Sequence, residues 1–126
     1  KNVKAIISDG AYTSVYDILG YRIVKDYKVP KFPTMRMIKR KIKQEIKINI
    51  KESYPLMLQH NDIPTIFIQM KDDDFVPVDM VYPLYNANRG SKVLFVLKDE
   101  HYLYELEETD EFKNTLKDFI SKYVEV

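Results

Sequence analysis

PTIFIQMKDDDFVP, residues 64–77, is the stretch of this sequence from which the fold can be worked out. Its first half, Thr65 to Ile68, is rich in β-branched and aromatic side chains, which is typical of a buried strand. The apolar run then gives way to three consecutive carboxylates, Asp72, Asp73 and Asp74, followed by Phe-Val-Pro. We therefore expect a buried strand that delivers acidic side chains to the edge of a sheet.

The composition around this stretch indicates one folded domain. The chain has 126 residues, of which 45% are apolar and 13% aromatic, and this is enough to build a core. Twenty basic and nineteen acidic residues leave a net charge of +1, so the overall balance favours neither a nucleic-acid nor a membrane partner. The sequence has no cysteine and no run of the ~18 apolar residues that span a membrane. These features predict a soluble, cytoplasmic protein.

Two further apolar runs have the composition of buried strands. Val3 to Ile7 is closed by Ser-Asp-Gly, and Lys92 to Leu97 runs into Lys-Asp-Glu-His101. Helical spacing of apolar residues is found between and after these runs, in residues 12–27, 34–47, 52–60, 78–87 and 110–124. Buried strands joined through helices predict a three-layer α/β fold with a parallel sheet of about three strands in sequence order.

The segment between the first two strands is too long for a minimal crossover. Gly20 is a weak point in its first helix, and two prolines in residues 29–33 predict a linker before the next one. We expect part of the segment, residues 21–50, to form a helical cap insertion. The run Lys39 to Lys43 makes the outer face of the cap very basic. Such a run is compatible with binding to phosphate backbones, but we favour a solvated cap face.

Polar residues follow the carboxyl ends of all three predicted strands. They are Asp9, Asp73 and His101. Ligands of open parallel sheets bind at this edge, and a carboxylate beside a histidine fixes its tautomer and stabilises the imidazolium form. Spacing alone leaves two interpretations open, either an acid–histidine pair of Asp73 with His101 or a solvated turn followed by a loop histidine. A metal site could also be formed by His60, Asp62 and residues 72–74. These residues lack the usual spacing of metal ligands, so for them we favour a solvated loop.

These residues resemble the carboxyl-terminal half of the α/β-hydrolase superfamily, in particular small bacterial serine hydrolases of the esterase and acyl-peptidase-like kind. In that family the acid follows an apolar strand, His-Gly and two variable residues, and precedes one more residue, an apolar one and Val-Pro. Residues 67–77 match this pattern with Asp73 at the acid, although Gln69-Met70 replaces His-Gly. Val93 to Leu97 and His101 match the last strand and the catalytic histidine, although Glu100 precedes His101 where small residues are common. Residues 3–13, VKAIISDGAYT, match the strand after the nucleophile helix.

The resemblance implies hydrolysis of carboxylic esters or of peptide and amide bonds, with Asp73 orienting His101 and with no cofactor or metal. In the family the nucleophilic serine comes before the acid in a Gly-x-Ser-x-Gly elbow. None of the three glycines of this sequence belongs to such an elbow. Residues 1–126 are therefore expected to be the carboxyl-terminal part of one hydrolase domain, inactive on a small acyl substrate without the amino-terminal half.

The implied partner is that missing half. In an intact hydrolase the strand Val3 to Ile7 would lie beside the strand that leads to the nucleophile, so we expect pairing with the other half or self-association through this strand edge. The alternative function is that of a non-catalytic interaction domain or a degenerate hydrolase remnant.

Overall fold

The computed structural model of the chain describes residues 2–97 and 110–124. The described elements are, in chain order, β1 (Ile6–Asp9), α1 (Val15–Tyr27), α2 (Lys31–Ile46), α3 (Tyr54–Leu58), β2 (Thr65–Met70), a 3-10 helix (Val78–Met80), α4 (Val81–Ala87), β3 (Lys92–Leu97) and α5 (Asp110–Tyr123). Within these residues every helix is either too short or too polar to span a lipid bilayer.

The three strands form a parallel sheet in the order β1-β2-β3. Ile6 of β1 is opposite Thr65 of β2, and Thr65 is opposite Lys92 of β3, so all three carboxyl ends lie at one edge. All six residues of the central strand β2 are buried. The α/β class and the parallel sheet of three strands in sequence order are thus confirmed.

Helices cover both faces of the sheet. On one face Ile66 and Ile68 pack with Phe119 of α5. On the other face Phe67 packs with Val81 and Leu84 of α4. Because side chains alternate between the two faces of a strand, the continuous apolar run of β2 supplies both cores. This arrangement has three layers, as the sequence predicted.

The first strand begins later than predicted. We expected a strand from Val3 to Ile7, whereas β1 covers Ile6–Asp9. The Ile6 N–H donates to the Pro64 carbonyl at 2.9 Å, at the point where the neighbouring strand begins. Residues before Ile6 lie beyond the start of β2, so the ladder has no partner for them. Within the described chain β1 is an edge strand, and Ile7 is 54% exposed.

The predicted cap region, residues 21–50, contains the second half of α1 and all of α2, and these two helices pack against each other. Gly20 does not break α1, and it is buried beneath the Lys31 side chain, whose Cε lies 2.7 Å from where a Cβ would be. The bounds of α2 begin at Lys31, but the helix is interrupted by a kink at Phe32, so its regular part begins after the predicted linker, close to the predicted start at residue 34. Phe32 keeps an extended backbone (φ −107°, ψ 134°), as the proline after it requires.

Candidate functional site

The acid loop, which we define as residues 71–77, follows the carboxyl end of β2. Its first residue is tied to the neighbouring strand, because the Lys71 N–H donates to the Leu97 carbonyl at 2.6 Å. On the other side, the Gly10 N–H donates to the Ile68 carbonyl at 3.0 Å, with Gly10 in the left-handed conformation (φ 61°) directly after β1. The loop therefore begins at the centre of the sheet's carboxyl edge.

Asp73 is the organising side chain of the acid loop. Its Oδ1 accepts the backbone N–H groups of Phe75 at 2.7 Å and Val76 at 2.9 Å. Its Oδ2 accepts the side-chain amide of Gln69 at 3.3 Å. Both carboxylate oxygens are thus engaged, so the orientation of this side chain is fixed. The neighbouring carboxylates at positions 72 and 74 are exposed, so the three acidic side chains differ in environment.

Gln69 lies directly beneath the acid loop and is completely buried, with 0% of its surface exposed. Its Nε2 has three acceptors, the carbonyls of Val76 at 3.1 Å and Met70 at 3.3 Å and the Asp73 carboxylate. If the Gln69 side-chain amide were flipped, its oxygen would face these three acceptors and could not form a hydrogen bond with any of them. The surroundings therefore determine the orientation of the amide. Its Oε1 is buried without a hydrogen-bond partner in the described part of the chain.

The sequence analysis missed this role of Gln69, which it treated only as a departure from the family's His-Gly. The available signal was a polar residue at the end of an otherwise apolar strand of a fully buried type. Such a residue needs hydrogen-bond partners, and the nearest available ones are in the loop that follows.

Helix α1 holds the acid loop from outside. The Arg22 guanidinium donates to the Asp74 carbonyl at 2.8 Å, and the Lys25 ammonium donates to the same oxygen at 2.9 Å. Lys25 also pairs with the Asp74 carboxylate at 2.8 Å, and the Arg22 guanidinium lies 4.6 Å from the centre of the Phe75 ring. These contacts, together called the α1 clamp, join residues about fifty positions apart in the chain. No sequence pattern indicated them.

The clamp changes the proton affinities of its ion pair. The hydrogen bond to Asp74, and secondly the one to the Tyr21 hydroxyl, raise the pKa of Lys25 above its ordinary value. The hydrogen bond from Lys25 lowers the pKa of the Asp74 carboxyl. A lowered carboxyl pKa stabilises the folded state at pH values above the group's ordinary pKa, and this stabilisation is lost as the pH falls through the lowered pKa. A raised lysine pKa stabilises the folded state at pH values below the ordinary pKa of lysine, and this stabilisation is lost as the pH rises through the raised pKa.

We expect the double variant Arg22→Gln/Lys25→Gln to loosen the acid loop without unfolding the protein. At neutral pH the backbone amides of Phe75 and Val76 should exchange several-fold faster, whereas the denaturation midpoint should change little because the clamp is exposed to solvent. Hydrogen exchange measured by NMR tests this, with Lys28→Gln, an exposed lysine just beyond α1, as control. In acid only the part of the difference that comes from the Lys25–Asp74 ion pair should disappear, because the bonds to the Asp74 carbonyl and the contact of Arg22 with Phe75 do not depend on the carboxylate. Unchanged exchange at neutral pH would show that the clamp does not hold the loop.

The other residues predicted at the carboxyl edge of the sheet are Asp9 and His101. Asp9 ends β1 at the same edge as the acid loop and is exposed. His101 lies outside the described residues. The structure therefore places two of the three predicted residues, Asp9 and Asp73, at one edge of the sheet.

The metal site considered from the sequence is divided between the two ends of β2. His60 and Asp62 precede this strand, whereas residues 72–74 follow it. The length of a six-residue strand, about 17 Å, therefore separates the two parts. In residues 2–97 and 110–124 no three His, Asp or Glu side chains are grouped as metal ligands.

Comparison with known proteins shows a similarity to a longer bacterial protein. The chain is 27% identical over 116 residues to an uncharacterized protein, YqkD, of Bacillus subtilis (strain 168). The alignment covers 90% of this chain but 38% of that protein, so the chain spans about two fifths of the length of its relative. No protein-family profile matches the chain.

Proposed function

We propose that this chain is the carboxyl-terminal part of a serine hydrolase of the α/β-hydrolase type, in which Asp73 orients His101. The observation that carries the proposal is the fixed Asp73 carboxylate at the carboxyl edge of a parallel sheet, held by two backbone N–H groups and by Gln69. A triad acid needs such fixation because it must keep the imidazole in one tautomer and orientation.

The position of His101 in the sequence supports this pairing. It follows Leu97, the last residue of β3, by four positions, and β3 is parallel to β2 and hydrogen-bonded to it. In the proposed reaction His101 takes a proton from a serine outside this chain and then returns it to the leaving group. Asp73 stabilises the imidazolium form between these two steps. No step requires a metal or a cofactor.

The proposed substrate is a small acyl compound bound under the cap, residues 21–50. A hollow of about 450 Å³ lies beside α1 and is lined in part by Tyr21, Val24 and Lys25 of α1 and by Met80. Its lining is mainly apolar, and Lys25 connects it to the acid loop through the α1 clamp. Such a hollow suits the hydrocarbon part of an ester.

A second candidate is an interaction domain without catalytic activity, including a degenerate hydrolase remnant. The free edge of β1 in the described chain and the exposed Ile7 favour this function, because an unpaired strand is a template for pairing with another segment. The same features suit docking of the proposed nucleophile-bearing half. The two candidates therefore share a partner or self-association at β1 and differ in chemistry.

Covalent labelling by a fluorophosphonate probe separates the two candidates. We expect the chain expressed with the coding sequence that precedes it to be labelled on a serine before Lys1 and to hydrolyse p-nitrophenyl acetate. The 126-residue chain alone should show neither. An unlabelled longer protein would refute the hydrolase. If that protein is nevertheless folded, with β1 protected from hydrogen exchange by the added segment, the interaction domain is supported.

A further inference from the structure

The net charge of the chain conceals a strong asymmetry. Residues 25–51 contain ten of the twenty basic residues but only two of the nineteen acidic ones, Asp26 and Glu45, so this segment carries a charge of +8. The remaining residues carry ten basic and seventeen acidic side chains, a charge of −7. Such asymmetry within one chain indicates a surface for an anionic partner.

Four of these cations form a regular stripe along α2. Arg36, Arg40, Lys43 and Lys47 are spaced by four, three and four residues. Within α2 this spacing places Arg36, Arg40 and Lys43 within about 60° of one another around the helix and over a length of about 10 Å. Lys47 follows the last residue of the helix directly, in the left-handed conformation (φ 62°). All four are exposed. The ion pairs among the described residues use other cations, on α1 and at position 41, and none uses a cation of the stripe.

The helices of this basic segment also carry exposed apolar side chains. Tyr27, Phe32, Met37 and Ile46 are 75%, 71%, 68% and 62% exposed and are the four most exposed large hydrophobic residues in the described chain. Tyr27 ends α1, and the other three belong to α2 itself. The two arginines of the stripe line one shallow hollow with Met37, and no acidic residue lines it. Met37 and Ile46 are nine residues apart and so lie about 180° from one another around the helix, with the stripe between them, and of the four only Met37 lines the hollow with the two arginines.

We propose that this α2 surface docks on an anionic phospholipid membrane. Lysine and arginine side chains attract acidic lipid headgroups, and nearby aromatic and aliphatic side chains enter the interface between headgroups and acyl chains. A nucleic acid would match the charge, but it has no apolar phase for Met37, the exposed residue that lines the hollow with the two arginines, to enter. The bilayer is therefore the occupant that accounts for both observations. Docking of this kind is peripheral and requires no membrane-spanning helix.

The inference goes beyond the proposed hydrolase and does not depend on it. It rests only on residues of α1, α2 and the segment that follows α2, and it replaces the expectation, drawn from the net charge, that the protein has no membrane partner. The described residues outside 25–51 carry eleven acidic and eight basic side chains, so among them the basic segment is the part that attracts an anionic membrane.

Vesicle co-sedimentation of the 126-residue chain tests the proposal. We expect binding to vesicles of equal parts phosphatidylglycerol and phosphatidylcholine and little binding to phosphatidylcholine alone. The quadruple variant Arg36→Gln/Arg40→Gln/Lys43→Gln/Lys47→Gln should lose at least about 100-fold in affinity, because each cation near the surface contributes separately. The matched control replaces four exposed cations elsewhere, Lys4, Arg89, Lys113 and Lys117, by Gln and should bind like the wild type or better.

A second variant separates a membrane from other polyanions. Phe32→Ser/Met37→Ser keeps every charge, and we expect it to lose about tenfold in vesicle affinity because less apolar surface enters the interface. Circular dichroism should show that all variants remain folded. Absence of binding to acidic vesicles, equal loss in the stripe variant and its control, or tighter binding to a single-stranded oligonucleotide that Phe32→Ser/Met37→Ser leaves unchanged would overturn the proposal.

Discussion

Replacing Asp73 by Asn is expected to lower the rate of fluorophosphonate labelling of the longer protein by about 10³–10⁴-fold. An amide does not stabilise an imidazolium ion as a carboxylate does, and it allows the wrong histidine tautomer. The side-chain amide of the Asp73→Asn variant still offers one oxygen to the N–H groups of Phe75 and Val76, which the carboxylate accepts in the wild type. Its NH2 group takes the place of Oδ2 and cannot accept the hydrogen bond from the Gln69 side chain, so one of the three bonds to this side chain is lost. The two bonds to backbone N–H groups are kept, and unchanged hydrogen exchange of Phe75 and Val76 would show that the loss reports on chemistry.

The two neighbouring aspartates provide matched controls. Asp72→Asn and Asp74→Asn remove the same charge from the same loop at exposed side chains, and Asp74→Asn in addition breaks the ion pair with Lys25. We expect each to change the labelling rate by no more than about threefold, as is usual for surface substitutions. Thermal denaturation of all three variants shows whether the fold is retained. Equal losses at the three positions would mean that only the charge of the loop matters, and Asp73 would lose its assigned role.

Replacing Gln69 by Leu is expected to lower the free energy of unfolding of this chain by about 3 kcal/mol. Leucine fills a similar space but removes the donor that serves the carbonyls of Val76 and Met70 and the Asp73 carboxylate. Acceptors left buried without a donor account for the loss. Urea denaturation followed by circular dichroism measures it, provided that the slope of the transition is the same as in the wild type.

Two further variants show whether the donor is responsible for this loss. Gln59→Leu makes the same chemical change at an exposed position just after α3 and should be nearly neutral. Gln69→His introduces the residue that the resembled family has here and keeps a ring N–H, so it should recover part of the lost stability. If Gln69→Leu is as stable as the wild type, removal of the unpaired Oε1 has offset the lost hydrogen bonds, and the donor is not required.

Local patterns were sufficient to predict most of the elements. The third strand was predicted as Lys92 to Leu97 and has those bounds. The last helix was predicted over residues 110–124 and ends at Tyr123. Both segments have a periodicity or an apolar run that is independent of distant residues. The first strand was misplaced because its start is set by pairing with β2, and pairing partners are not encoded in the strand itself.

The α/β class, the parallel order of the strands and the delivery of three aspartates to the carboxyl edge of the sheet could be derived from the amino-acid sequence alone. These features follow from side-chain periodicity and from the geometry of crossover connections. How the acid loop is held, by Gln69 from below and by Arg22 and Lys25 from α1, became known only from the folded arrangement. Those contacts depend on where separate elements lie in space, because a hydrogen bond forms only when donor and acceptor come within about 3 Å of each other.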